Sequence, residues 1–476
     1  MAKKPILYGS FTSPAVNAVV MTFKAINVDF EFRDVKPLKG DNASETYLEK
    51  NPTGTIPCLE TEDNRFIGDS HAITAYIVDR YAPDNSLYPK DLYRRAKIQQ
   101  LQHFSDSILF TSCVKAAYEP IFWRTKTTVD EEIYKRIDKA YGMMERFLSQ
   151  HKWVAADHVT IADFHCIVCV YGLFYLKPIE EELYPRLFNW FQRTMNISYV
   201  TEMLTSKTMT SSMAFLDKYV AKLSDLIVDT RIQFETPRTK LLCFQEFSLY
   251  STIMVKKPIL YGSYTSPGVN AVVMTFKAIN ADFEFREIKP LKGENASAEY
   301  LAKNPTGTIP CLETEDNQFI GDSHAITAYI VDRYARDDSL YPKDLYKRAK
   351  VQQLQHFADS FLFTLCVRPA YEPIYWRTKT TIDEEIFRRI NKAYEMMERF
   401  LSQNKWMAAD HITIADFHCF LCSCGLYYLK PIDDALYPRL FDWFQRTMLI
   451  PYVMEVLASD IMTSSKNFLD KRVAKL

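Results

Sequence analysis

The string NPTGTIPCLETEDNRFIGDSHAI, residues 51–73, returns at residues 304–326 with one change, Gln318 for Arg65. Its first half sets Pro57 inside a short apolar run, Ile56 to Glu60, that reads as a strand. A trans proline there would remove a ladder donor for no gain, which favours a cis bond over an ordinary edge turn. A cis bond would turn the flanking amide outward, where it could pair with an extended peptide as a mock strand. The second half, Gly68 to Ile73, opens a helical apolar face of Ile73, Ile77 and Tyr81. Asp69 or Ser70 could be a plain N-cap there, worth about 1 kcal/mol. A helix start with a hydroxyl can also hold a carboxylate, while Asp69 supplies the counter-charge for an amino group. Together they suit an amino-acid head group.

The flanking sequence extends this into a mixed pattern. Ile6 to Gly9 is a short apolar strand, and Pro14 opens a helix with Val16, Val20, Phe23 and Ile26 at helical spacing. Phe30 to Val35 alternates with period two, Ser44 to Lys50 is helical, Phe66-Ile67 is a strand, and Ser70 to Tyr81 is a helix. The order is βαβαββα up to about residue 85. From Leu92 the patterns are long and helical, as in Leu92 to Leu109 and Ile133 to Leu148. The expected fold class is α+β followed by all-α, twice over.

A shift of 253 overlays the two halves of the chain, with 67 of 77 positions identical from Pro5 to Tyr81. A period this long is duplication of a whole globular protein rather than a solenoid of units of roughly 20–50 residues. The expected domains are 1–84 and 85–223 in the first copy and 254–337 and 338–476 in the second. Residues 224–253 match neither copy and read as a poorly ordered linker, long enough at about 100 Å extended to let the copies pair within one chain.

Composition excludes several classes of function. Lys plus Arg (58) and Asp plus Glu (59) nearly cancel, so no bulk field gathers nucleic acid or anionic membrane. The sequence contains neither a signal-like apolar segment nor a membrane-length run, which makes the cytoplasm the expected location. The ten cysteines lack paired spacings and read as reduced core thiols. His165 with Cys166 and Cys169 lacks a second ligand pair at suitable spacing, so packing is preferred and no metal is expected. Neither a Ser-His-Asp ordering nor a Gly-rich phosphate loop is present.

Ser13, with Pro14, stands at the mouth of the first helix, where serine is a routine cap. Its chemical reading is a hydroxyl that donates to a bound thiolate and, with the positive end of the helix, lowers the thiol pKa. Tyr8 competes as a hydroxyl donor but falls mid-strand, where buried packing is the better role. Thr160-Ile-Ala-Asp163, like Thr413 to Asp416, is a structural capping box with Asp in the Glu position.

The βαβαββα half with NPTGTIPCL and GDSHAI, followed by a helical half carrying TIADFHC, resembles the cytosolic glutathione transferases over nearly all of both copies. The Ser13-Pro14 start, Asp69 to Ile73 and Ser86 to Asp91 are most similar to the insect delta and epsilon classes, epsilon preferred. The resemblance implies a thioredoxin-like glutathione domain and a helical domain that completes an electrophile pocket. It makes Ser13 and Ser266 the thiolate-stabilising residues. Ile56-Pro57 and Ile309-Pro310 would pair with the cysteinyl part of glutathione, and Asp69, Ser70, Asp322 and Ser323 would hold its γ-glutamyl end. Asn42 and Asn295, together with Gly54 and Gly307, stand where the family often has histidine near the glycyl carboxylate. The expected consequence is weakened rather than abolished glutathione binding.

Phe110, Tyr118 and Phe122, with Phe363, Tyr371 and Tyr375, are expected pocket walls or core. Glutathione is then a co-substrate, with no cofactor, and hydrophobic electrophiles are the other partners. The expected activity is glutathione conjugation in detoxification, by a homodimer or an intrachain pseudo-dimer. The alternatives are a non-catalytic ligand-binding or structural scaffold, and a glutathione-dependent peroxidase, isomerase or dehydrochlorinase.

Overall fold

A computed structural model describes residues 3–206, 256–376 and 378–458. The linker reading of 224–253 lies outside the described residues. In the first copy the elements are β1 (Ile6–Gly9), α1 (Pro14–Ala25), β2 (Glu31–Asp34), α2 (Glu45–Lys50), β3 (Cys58–Glu60), β4 (Phe66–Gly68) and α3 (Ser70–Tyr81). The sheet order is β2-β1-β3-β4, with β1 parallel to β2 and the other pairs antiparallel. Strand alternation sorts the core. Leu7 and Leu59 join α1 and α3 residues such as Val16, Phe23 and Ile73 on one face, while Ile6, Tyr8 and Cys58 meet Val35 and Tyr47 on the other. The second copy repeats this order from Ile259–Gly262 to the helix Ser323–Tyr334.

The helical half begins with α4 (Leu92–Phe104), which runs without a break into a π-helical stretch, Ser105–Lys115. The expected single helix Leu92 to Leu109 therefore widens at Ser105, a change that 3.6-residue periodicity does not encode. Next come α5 (Ala116–Phe122), α6 (Glu131–Phe147) and α7 (Ile161–Leu176). The Thr160 capping box closes as read. Asp163, fully buried, accepts from the amides of Val154 and Thr160, the Thr160 hydroxyl and the Trp190 indole.

The copies pack on each other through α3 and α4 and their twins, Ser323–Tyr334 and Leu345–His356. Gln99 Nε2 donates to Tyr88 and Tyr341, at 2.9 and 3.0 Å, and Gln352 Nε2 returns the pattern at 3.3 and 2.8 Å. Gly68 lies so close that a Cβ would sit 2.5 Å from Gln353 Nε2 and 2.6 Å from Asn51 Oδ1. The Gly68 amide uses that approach to donate to Gln353 Oε1 at 3.2 Å. Among the described residues, no helix is long and apolar enough to cross a membrane.

Candidate functional site

Ser13 ends the β1–α1 turn as the residue before Pro14, with φ −88° and ψ 122° and its amide donating to the Ser10 carbonyl at 2.9 Å. Its hydroxyl makes no capping hydrogen bond. In the second copy Ser266 Oγ accepts from the Val269 amide only at 3.5 Å. Each hydroxyl thus stands at a helix N-terminus without being consumed as a strong cap.

Tyr8 is a different case. Its hydroxyl donates to Glu60 Oε2 at 2.7 Å and accepts from Arg33 at 2.8 Å. Burial and the Glu60 carboxylate push its pKa up to about 12. The phenol belongs to the far-side core of the sheet, as its mid-strand position implied.

The Ile56-Pro57 and Ile309-Pro310 bonds are cis. Asp69 caps α3, its Oδ1 accepting from the His71 and Ala72 amides at 2.9 and 3.0 Å, and Ser70 behind it is buried. Asp322 does the same for His324 and Ala325. Against burial, which would raise it, the charges of His103 and His324 hold the Asp322 carboxyl well below the usual range. The cap reading and the head-group reading are therefore compatible, because both amides use one carboxylate oxygen. Asn42 Nδ2 donates to the Gly54 carbonyl at 2.6 Å, and Asn295 to Gly307 at 2.7 Å. One donor of each amide side chain thus pins a loop.

In the second copy these parts surround a cavity of about 130 Å³, lined by Ser266, Ile309, Asp322, Ser323, His324 and Phe363 among others. Phe104, Ser107 and Ile108 of the first copy form part of its wall. Gly268 lines the cavity, and a Cβ there would stand 3.0 Å from Ser323 Oγ. The first copy carries Ala15 at this place.

Of the expected pocket aromatics, Phe363 reaches the cavity, with the Arg368 guanidinium 5.1 Å from its ring centre. Tyr371 and Tyr375 stand outside it. The Tyr371 hydroxyl donates to the Gly425 carbonyl, as Tyr118 does to Gly172. Phe110 and Phe122 are half-buried in the first copy. Sequence reasoning noted Arg368 in place of Lys115 as a difference between the copies near the acceptor pocket, but passed over His324, Asp359 and the contribution across copies. The only signal for the last was the duplication itself. Among the described residues the buried thiols are poor nucleophiles: burial pushes Cys58 up to about 12 and raises Cys166 and Cys169 as well.

Family models described as "Glutathione S-transferase, N-terminal domain" match residues 7–85 and 260–338, and models of the C-terminal domain match 109–197 and 367–460. Glutathione S-transferase 1 of Manduca sexta is 35% identical over 189 residues, 39% of this chain and 86% of the relative. The chain belongs to the glutathione S-transferase family. Glutathione S-transferase D7 of Anopheles gambiae is similar at 32% identity over 193 residues, 40% of this chain and 85% of that relative. An epsilon-class glutathione S-transferase of the housefly, Musca domestica, has a solved structure that is 38% identical, covering 46% of this chain and 100% of its own, at a TM-score of 0.44. Each relative spans less than half of the chain. Two glutathione S-transferase units therefore lie in tandem, and the curated insect relatives agree with the delta and epsilon grouping that the motifs implied.

Proposed function

We propose that each copy binds glutathione and transfers its sulfur to a hydrophobic electrophile. The observation that carries this reading is the convergence of Ser266, Ile309, Asp322, Ser323 and Phe363 on one cavity. Asp322 and Ser323 receive the γ-glutamyl amino and carboxylate groups, and the Ile309 backbone pairs with the cysteinyl residue. Ser266 donates its hydroxyl to the sulfur at a helix N-terminus, so the thiol loses its proton to solvent and remains a thiolate. Phe363 holds the apolar partner within reach. The sulfur then attacks the electrophilic carbon, the carbon–sulfur bond forms, and a leaving group such as halide departs with its electron pair. Ser13, Ile56, Asp69 and Ser70 repeat this in the first copy, with Phe110 as the wall.

Asn42 and Asn295, already donating to loop carbonyls, support only a weak hold on the glycyl end. The units run 1–84, 85–223, 254–337 and 338–476, the chain works in the cytoplasm, and the copies act as an intrachain pseudo-dimer. The test is conjugation of glutathione to an aromatic halide. The intact chain turns over, and Ser13→Ala with Ser266→Ala lowers the rate about 100-fold, the scale of removing one well-placed donor. A wild-type chain as inert as the double variant would favour a binding scaffold instead.

A further inference from the structure

Six buried imidazole rings form a column across the contact between the copies. In order they are His165, His71, His356, His103, His324 and His418, with neighbouring ring centres 3.9, 4.4, 3.9, 4.5 and 3.9 Å apart. Four carboxylates flank the inner rings. Asp106 Oδ2 is hydrogen-bonded to His356 Nδ1 at 3.1 Å, and Asp359 Oδ2 to His103 Nδ1 at 3.2 Å, so a metal ion would replace the proton of each pair. Asp69 Oδ1 stands 3.5 Å from His71 Nδ1, and Asp322 Oδ1 stands 3.4 Å from His324 Nδ1. Asp69, His71, Asp106 and His356 thereby present four ligand atoms within 4.8 Å of one another, as do Asp322, His324, Asp359 and His103.

The protons in the first cluster can be placed by counting. The Ser105 hydroxyl spends its one hydrogen on the Gln102 carbonyl at 2.8 Å. Its oxygen must then accept from His71 Nε2–H at 3.1 Å. In the neutral tautomer that donates from Nε2, Nδ1 carries a lone pair. It is buried, has no hydrogen-bond partner, and faces the carboxylate of Asp69. A ring nitrogen and a carboxylate facing each other out of water call for a cation between them, a metal ion or the ring's own proton.

We propose that Asp69, His71, Asp106 and His356 bind a divalent transition-metal ion of the zinc type, with a second, weaker site at Asp322, His324, Asp359 and His103. Two imidazoles and two carboxylates form a neutral site with a dication, a ligand mixture that suits zinc. Zinc bonds of about 2.0–2.1 Å place tetrahedral ligands about 3.4 Å apart, and the Asp69–His71 and Asp106–His356 separations of 3.5 and 3.1 Å bracket that value. The His71 and His356 rings are stacked 14° from parallel, so one of them turns when both nitrogens take the same ion. The site falls at the seam, and His356 comes from the other copy. The second cluster has Ala358 where the first has Ser105, so nothing there fixes the tautomer, and the ion must displace a proton. The inference departs from the metal-free expectation, which weighed only His165 and its cysteine neighbours.

The test titrates the metal-free full-length chain with Zn²⁺ by calorimetry and with Co²⁺ by absorbance. The wild type binds in two unequal steps. Asp106→Asn weakens the tighter step at least about tenfold, Asp359→Asn removes the looser one, and the double variant loses both. The wild-type cobalt complex shows visible tetrahedral bands without the near-ultraviolet charge transfer of a thiolate ligand. That spectrum decides the matter even if a variant fails to fold. No uptake by the wild type, a thiolate band, or equal uptake by a folded double variant would each overturn the proposal.

Discussion

Asp163 concentrates more stability than any single cap should, because four donors converge on one buried carboxylate. Its replacement by Ala strands two amides and an indole in the core of the helical half, so Asp163→Ala is expected to cost about 3 kcal/mol or more, read as a lower urea midpoint of the first copy. The role was legible because a capping box is local: Thr160 and Asp163 are three residues apart and both partners are in view. The helix starts after Ser13 and Asp69 were legible for the same reason, marked by proline in one case and by a polar pair in the other. The histidine column was not. His71, His103 and His165 have no common spacing, and only packing between the two copies brings His356 to His71.

Elements with sharp local punctuation were read to the residue. The helix Ser70–Tyr81 is one, since Gly68 and Asp69 leave no other start. Elements defined by periodicity alone drifted. The second strand shortened to Glu31–Asp34, the third begins at Cys58 rather than Ile56, and the helix from Leu92 gave way to π geometry at Ser105. In the last case the apolar spacing continues while the hydrogen-bond step changes, and side-chain pattern does not report that step. The second copy makes the same change at Phe357. In both copies the wider turn begins beside the histidines at the seam and carries Asp106 or Asp359.

For the molecule as a whole, the repeat predicted two cores and permitted their pairing, but not how polar the seam would be. Lys97, Gln99, Gln100 and Gln102 look like solvated helix positions, yet all are buried, and the first three hydrogen-bond to the other copy. Lys97 donates to Gln100 and to the Phe319 carbonyl of the second copy, and Lys350 mirrors it at Gln353. Burial pushes both ammonium groups down to about 8. The unfolded chain titrates near 10.4, so between about pH 8 and 10.4 it binds protons that the folded chain has shed. Stability is therefore expected to rise with pH across that window, the reverse of a lysine that gains a partner. Lys97→Met with Lys350→Met should flatten the slope in urea melts recorded at pH 8, 9 and 10, and an unchanged slope would contradict this account of the seam.

The central claim concerns one ionisation at two helix starts. Its most direct test is ultraviolet difference absorbance of glutathione bound to the intact chain, followed as a function of pH. The account predicts a thiolate signal at neutral pH, of two equivalents per chain at saturation. It also predicts that Ser266→Ala removes one equivalent and that Ser13→Ala with Ser266→Ala removes both. Glutathione that binds with no thiolate absorbance until its ordinary alkaline range, in the unaltered chain, would contradict it.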